Sequence, residues 1–288
     1  MSQIVLYLNV CKLRVVLLMV ITTIVGMCLA PHHTIAWQLW LSAPLGIALS
    51  ACSAAAFNHL IDSHLDRVMQ RTQQRPLVTQ SLQPQQVFVF ASMLGALSLT
   101  LLCWQVNYLT AVLTFCSMIG YTLVYTAFLK YQTTQNIVIG GAAGAAPPLL
   151  GWVSVTGQIQ AGALLLMAII FVWTPPHFWA LSINRFDDYA KTGLPMLANR
   201  FGIAYTIFCI FIYTILLSVI TILPYSIGLA GTYYLLTAML LNTIYLALNS
   251  RIFFSKQPGK PALTSFWYSI VYLFVLFIAL LADHPNIA

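Results

Sequence analysis

The chain has 288 residues, of which 60% are hydrophobic and only 6% are charged. Soluble domains carry roughly 25% charged residues, so this composition excludes a soluble globular protein and indicates that lipid is the solvent. The formal net charge of +7 could suggest nucleic-acid binding, but that requires a folded polar face that the sequence does not offer, and we expect no nucleic-acid partner.

Apolar stretches near the ~20 residues that a helix needs to cross a bilayer predict an all-α integral membrane protein. They predict nine spans within a single polytopic domain over residues 1–288. The predicted spans are 15–30, 36–57, 87–104, 108–129, 137–156, 161–183, 201–224, 229–248 and 263–282.

The basic residues predict the topology. All twelve Lys and Arg residues lie before span one or in alternate connections, and the connections 31–35, 105–107, 157–160 and 225–228 contain none. Short loops rich in Lys and Arg stay in the cytoplasm. The N-terminus is therefore predicted to be cytoplasmic and the C-terminus periplasmic, in a bacterial inner membrane.

The acidic residues are few and clustered. The chain has no Glu and five Asp, and four of these fall in the loops 58–86 and 184–200. Both loops lie on the predicted cytoplasmic side and are separated by four spans. This spacing predicts two pseudo-repeated four-helix units that run in the same direction through the membrane.

In the first loop, Asn58, Asp62 and Asp66 recur every four residues, which places them on one face of a continuing helix. Two stacked carboxylates repel each other unless a cation lies between them, and ligation by oxygen alone suits Mg²⁺. The spacing therefore predicts a divalent metal site.

Basic side chains accompany these acids in both loops. Arg71 and Arg75 follow the first set, and the second loop combines Arg185 and Lys191 with Asp187 and Asp188. Carboxylates together with basic groups suit a phosphate bridged by Mg²⁺. A diphosphate ester is the predicted ligand.

Spans five and six contain prolines. The segment 140–148, GGAAGAAPP, predicts close helix approach and a break in span five, because small residues allow contact and prolines interrupt the backbone hydrogen bonds. Pro175 and Pro176 predict a second broken helix, and the adjacent His177 is expected to face protein rather than lipid.

These motifs resemble a known superfamily. Asn58-xxx-Asp62-xxx-Asp66, followed by RTxxRPL at 71–77, resembles the first aspartate motif of the membrane aromatic prenyltransferases. Within that superfamily, three further segments resemble the haem-farnesylating branch, the protohaem IX farnesyltransferases or haem O synthases. They are GGAAGAAPPLLGW at 140–152, TPPHFWAL at 174–181, and DDY with GLPML at 187–197.

The resemblance covers roughly residues 10–285 and implies a helical bundle around a lipid-open cavity, with both loops as catalytic loops. It implies transfer of farnesyl from farnesyl diphosphate to a vinyl group of haem b, with addition of water, giving haem O. It also implies that Mg²⁺ is bound to the diphosphate. The metal ligands would be Asn58, Asp62, Asp66, Asp187 and Asp188; the basic partners Arg71, Arg75, Lys130, Arg185 and Lys191; and the acceptor pocket would include His177, Trp173 and Trp179.

The expected partners are farnesyl diphosphate, haem b, the lipid bilayer, and haem A synthase or the terminal oxidase assembly. Two alternatives stay open. A prenyltransferase acting on a quinone precursor would share Asn58, Asp62 and Asp66, but the adjacent Asp187 and Asp188 favour haem. A cation or metabolite transporter would carry its ionisable residues near the bilayer midplane, whereas these acids lie at helix ends.

Overall fold

The computed structural model describes residues 2–31, 34–68 and 72–284, and within them every regular element is helical. The all-α prediction is confirmed. The longer helices are α1 (Gln3–Val10), α2 (Leu13–Leu29), α3 (Trp37–Ile61), α5 (Pro84–Gln105), α6 (Tyr108–Ile119), α8 (Asn136–Ala145), α9 (Pro147–Thr156), α10 (Ala161–Asn184), α13 (Ile203–Ile220), α15 (Thr232–Phe253) and α16 (Gly259–Ala282). The short ones are α4 (Ser63–Asp66), α7 (Lys130–Gln132), α11 (Phe186–Ala190), α12 (Leu197–Phe201) and α14 (Leu223–Ser226), and a π-helix covers Gly120–Leu129.

The long helices account for the predicted spans. Eight helical segments of the described chain are long and apolar enough to cross a membrane, and α1 with α2 would form a ninth. These two are bent by 56° at the break between them. We take the 17 residues of α2 as the spanning helix, because a span needs roughly 17–25 residues, and α1 as a short helix that precedes it.

The chain folds into two compact units. Unit 1 comprises residues 1–130 and 146–159, and unit 2 comprises 131–145 and 160–288. Unit 1 thus holds the first four spans and unit 2 the last four. Span five is shared, since its first half belongs to unit 2 and its second half to unit 1.

The helix of span five is interrupted at the prolines, as the sequence predicted. Helix α8 ends at Ala145 and α9 begins at Pro147, a first-turn position at which a missing N–H costs nothing. Helix α9 then packs backbone to backbone against α2. A Cβ atom on Gly151 would lie 2.0 Å from the carbonyl oxygen of Thr23, and one on Gly26 would lie 2.0 Å from that of Pro148.

In unit 2, the prediction of a second broken helix is wrong. Helix α10 runs without interruption from Ala161 to Asn184 through Pro175 and Pro176. Each proline removes one N–H donor, but the turns on both sides keep their hydrogen bonds, and a helix packed among others tolerates such a loss. The residues around His177 are therefore presented by one continuous helix.

Polar side chains join the last three spans of unit 2. Asn249 Nδ2 donates to Thr214 Oγ1 at 2.8 Å, and Ser265 Oγ donates to Asn249 Oδ1 at 2.5 Å. Asp283, the acid outside the two loops, accepts from the N–H of Tyr234 at 2.8 Å and so caps α15. These bonds fix α13, α15 and α16 relative to one another.

The close approach of α9 to α2 predicts a position-specific effect of Gly→Ala substitution. We expect Gly151→Ala to lower the free energy of unfolding by about 1–3 kcal/mol, because backbone atoms must move to admit the methyl group. Gly144→Ala is the control, since a Cβ there meets nothing within 4 Å and gains the same helix propensity. Denaturant unfolding in detergent measures both, and equal stability of the two variants would contradict the packing.

Candidate active site

Asn58, Asp62 and Asp66 lie on one buried face at the end of α3. The N–H of Asp62 donates to the carbonyl of Asn58 at 2.9 Å, and that of Asp66 donates to Asp62 at 3.0 Å. Helical spacing therefore continues from α3 into α4, as the sequence predicted. Each of the three residues is only 4% exposed, so both carboxylates are removed from bulk water.

A basic side chain partners each carboxylate. Lys130 Nζ lies 2.6 Å from Asp62 Oδ2, and Arg75 Nη1 lies 2.6 Å from Asp66 Oδ2. Buried charges need such compensation, because removing a carboxylate from water costs several kcal/mol. The structure thus brings together five predicted site residues within unit 1. Arg71 lies outside the described residues.

The π-helix directs two side chains towards this face. The hydroxyl of Thr126 donates to the carbonyl of Tyr121, five residues earlier, at 2.8 Å and accepts from Asn58 Nδ2 at 3.2 Å. Lys130 follows directly at the start of α7. Stretches of π-helix are rare and occur frequently at functional sites. No sequence pattern marks Thr126, an uncharged residue in an apolar span.

Lys12 also joins this cluster, although the sequence marks it only as a determinant of topology. It occupies the break between α1 and α2 with a left-handed backbone, φ 52° and ψ 49°, and its Nζ donates to Asn58 Oδ1 at 2.5 Å. Burial, with repulsion from Arg75 as a smaller cause, lowers the pKa of Lys12 to about 8. Nothing in the sequence links Lys12 to a residue 46 positions away.

His59 also belongs to this part of unit 1. Its side chain is buried, and neither ring nitrogen has a hydrogen-bond partner among the described residues. Asn58 and His59 are neighbours in sequence but lie on different sides of α3, since successive helical residues diverge by about 100°.

The charges of this cluster favour an anionic ligand that carries a metal. Three cations, Lys12, Arg75 and Lys130, surround two carboxylates, which leaves one net positive charge. Among the described residues, no three His, Cys, Asp or Glu side chains gather as a metal site; the candidate donors here are two carboxylates and one amide. These hard oxygens fit Mg²⁺, which proteins hold through one or two carboxylates plus substrate phosphates.

The second loop, in unit 2, is more exposed. Asp187 and Asp188 occupy the first turn of α11, and the nearest Arg185 and Asp188 atoms are 3.6 Å apart with both side chains about two-fifths exposed, 42% and 41%. Such a pair contributes little, typically under about 1 kcal/mol. Lys191 is exposed at the end of α11.

The predicted acceptor residues divide into two groups. The rings of Trp173 and His177 stack with centroids 4.3 Å apart, and Phe266 stacks on the other face of His177 at 4.5 Å. Trp179 instead points into the core of unit 2, where it packs edge to face on Tyr213 at 5.2 Å. The structure brings Trp173 and His177 together but not Trp179.

Comparison with known proteins identifies the family. The model of the UbiA prenyltransferase family matches residues 19–271. The chain belongs to the UbiA prenyltransferase family. Among curated relatives, it is 50% identical to the protoheme IX farnesyltransferase of Idiomarina loihiensis and 53% identical to that of Coxiella burnetii, in each case over 278 residues. The match covers 96% of this chain and 93% and 91% of those proteins.

Solved structures with the UbiA fold agree with the architecture. A structure described as digeranylgeranylglyceryl phosphate synthase superposes with a TM-score of 0.83 at 16% identity, covering 98% of this chain and 99% of that one. A UbiA homolog from Archaeoglobus fulgidus bound to DMAPP and Mg²⁺ gives 0.70 at 16% identity, covering 96% and 99%. These similarities show a shared fold.

The buried ion pair of this UbiA family member predicts how its stability depends on charge balance. We expect Lys130→Met to cost about 3–5 kcal/mol of unfolding free energy, because Asp62 is left buried without its partner. Adding Asp62→Asn should recover most of that loss. Arg185→Met is the control and should cost under about 1 kcal/mol, since its pair is exposed. Denaturant unfolding tests this, and a double variant no more stable than Lys130→Met would contradict it.

Proposed function

We propose that this chain transfers a farnesyl group from farnesyl diphosphate to a vinyl group of haem b and adds water, giving haem O and diphosphate. The observation that supports a diphosphate as the farnesyl donor is the buried cluster of two carboxylates, one amide and three cations at the end of α3. The names of relatives near 50% identity support haem b as the acceptor.

In this proposal Asn58, Asp62 and Asp66 would hold Mg²⁺, which would supply positive charge for the leaving diphosphate. Lys12, Lys130 and Arg75 exchange their present partners for diphosphate oxygens, which supplies the remaining positive charge. Asp187, Asp188, Arg185, Lys191 and Arg71 stay proposed participants on the resemblance alone, as do Trp173 and Trp179 in acceptor binding.

The bond changes follow from an allylic donor. Fixed positive charge stabilises the diphosphate as the allylic C–O bond breaks, and both bonding electrons leave with that oxygen. The π electrons of the haem vinyl group form the new C–C bond, which leaves a cation beside the porphyrin. Water adds to that cation and releases one proton, giving the hydroxyethylfarnesyl group.

We further propose that the cluster faces the cytoplasm, with the N-terminus cytoplasmic and the C-terminus periplasmic. The distribution of Lys and Arg over alternate connections supports this orientation. The product would then pass to haem A synthase or to assembly of a terminal oxidase.

The first test is a reaction of purified protein with Mg²⁺, farnesyl diphosphate and haem b, with haem O detected by mass. We expect product from wild type and at least about a 100-fold lower rate from Asp62→Asn, since removing a group that stabilises leaving charge costs roughly that much. Asp283→Asn is the matched control, because an amide oxygen can still cap α15. No haem O from folded wild type would direct the search to quinone precursors, and an undiminished rate in Asp62→Asn would refute the metal assignment.

Lys12 predicts a pH dependence of donor binding. Its ammonium is charged below pH 8 and loses its proton above it, because burial lowers its pKa to about 8. A bound diphosphate favours the charged form, so affinity should be highest below pH 8 and fall as pH rises, by up to about tenfold per pH unit.

The measurement is the KM for farnesyl diphosphate between pH 7 and 10. Lys12→Arg should flatten the profile, because a guanidinium stays charged throughout this range. Lys256→Arg, at an exposed position, should keep the wild-type profile. A Lys12→Arg profile that rises as steeply as the wild type would exclude Lys12 as the titrating group.

A further inference from the structure

His177 is packed within unit 2 between Trp173 of its own helix and residues of α16. Its ring lies between those of Trp173 and Phe266, with interplanar angles of 21° and 25°. Its Nδ1 lies 2.6 Å from Ser269 Oγ, and Trp173 Nε1 donates to the carbonyl of Ser269 at 2.8 Å. These contacts define the position and orientation of the imidazole.

The hydrogen bonds of Ser269 bear on the tautomer of this imidazole. The Ser269 hydroxyl donates its single proton to the carbonyl of Phe266 at 2.6 Å, and a carbonyl can only accept. With its proton on that carbonyl, the serine oxygen accepts a hydrogen bond from His177 Nδ1. In this arrangement Nδ1 carries the proton, and Nε2 carries a lone pair to which no described residue donates.

An imidazole in this state is prepared to bind a metal. Histidines that ligate metals almost always donate their other ring N–H to a fixed acceptor, which sets the tautomer and raises the basicity of the ligating nitrogen. A neutral imidazole nitrogen is also a common axial ligand of haem iron. His177 lies seven residues before the end of α10, about 10 Å along the helix.

We propose that His177 Nε2 ligates the iron of the acceptor haem, with the Ser269 hydroxyl as the group that positions it. The proposal rests on the proposed function, because it names how that acceptor is held. Iron ligation fixes the centre of the porphyrin relative to α10 and so limits where the vinyl groups can lie. It also selects an iron porphyrin over a metal-free porphyrin or a quinone precursor, neither of which offers an axial site.

The test is the visible and resonance Raman spectrum of haem b added to purified protein without farnesyl diphosphate, so that no turnover is needed. Wild type should show a histidine-ligated spectrum with a ferrous iron–histidine stretch. His177→Ala should lose that stretch while it still binds metal-free protoporphyrin IX, which shows that the fold is intact. Ser269→Ala keeps the ligand and should shift the stretch and weaken haem binding about tenfold.

His64→Ala is the matched control, because His64 is exposed and offers a competing imidazole; it should keep the ligated spectrum. Metal-free protoporphyrin IX should bind wild type and His177→Ala equally. An unchanged spectrum in His177→Ala, or a loss of ligation in His64→Ala, would overturn the assignment even if haem O is formed. A histidine-ligated spectrum from wild type that makes no haem O would support the ligand and defeat the proposed function instead.

Discussion

Burial of two carboxylates at the end of α3 is the constraint around which unit 1 is built. Asp62 and Asp66 are removed from water, and their negative charge must be balanced nearby. Lys130 supplies one partner from the end of the π-helix, and Arg75 supplies the other from the loop that follows α4. Lys12 completes the cluster from the break before α2. Three irregular backbone segments therefore serve one electrostatic requirement.

The excess of one positive charge distinguishes this cluster from a structural salt bridge. A balanced pair would gain nothing from an additional anion, whereas three cations beside two carboxylates attract one. The lowered pKa of Lys12 has the same origin, since burial and the nearby Arg75 both oppose its charge. A bound diphosphate would offset both the burial of Lys12 and its repulsion by Arg75. The lowered pKa of Lys12 and the affinity of the cluster for an anionic ligand therefore have the same cause.

Much of this could be predicted because membranes impose simple rules on sequences. The number of spans, the helical face shared by Asn58, Asp62 and Asp66, and the break before Pro147 all follow from local spacing. The continuous helix through Pro175 and Pro176 did not follow, because neighbouring helices decide whether a proline breaks a helix. Lys12 and Thr126 were missed because their contacts with Asn58 join residues far apart in sequence.

The central claim is that the cluster binds a diphosphate through Mg²⁺. The most direct measurement is equilibrium binding of a farnesyl thiodiphosphate, an analogue whose allylic bond does not ionise readily. The titration compares Mg²⁺ with a chelator, for wild type and for the Asp62→Asn/Asp66→Asn double variant. We predict tight binding by wild type only in Mg²⁺, and little gain from Mg²⁺ in the double variant. Binding by wild type that is equally tight in chelator, or a double variant with the full response to Mg²⁺, would contradict the claim.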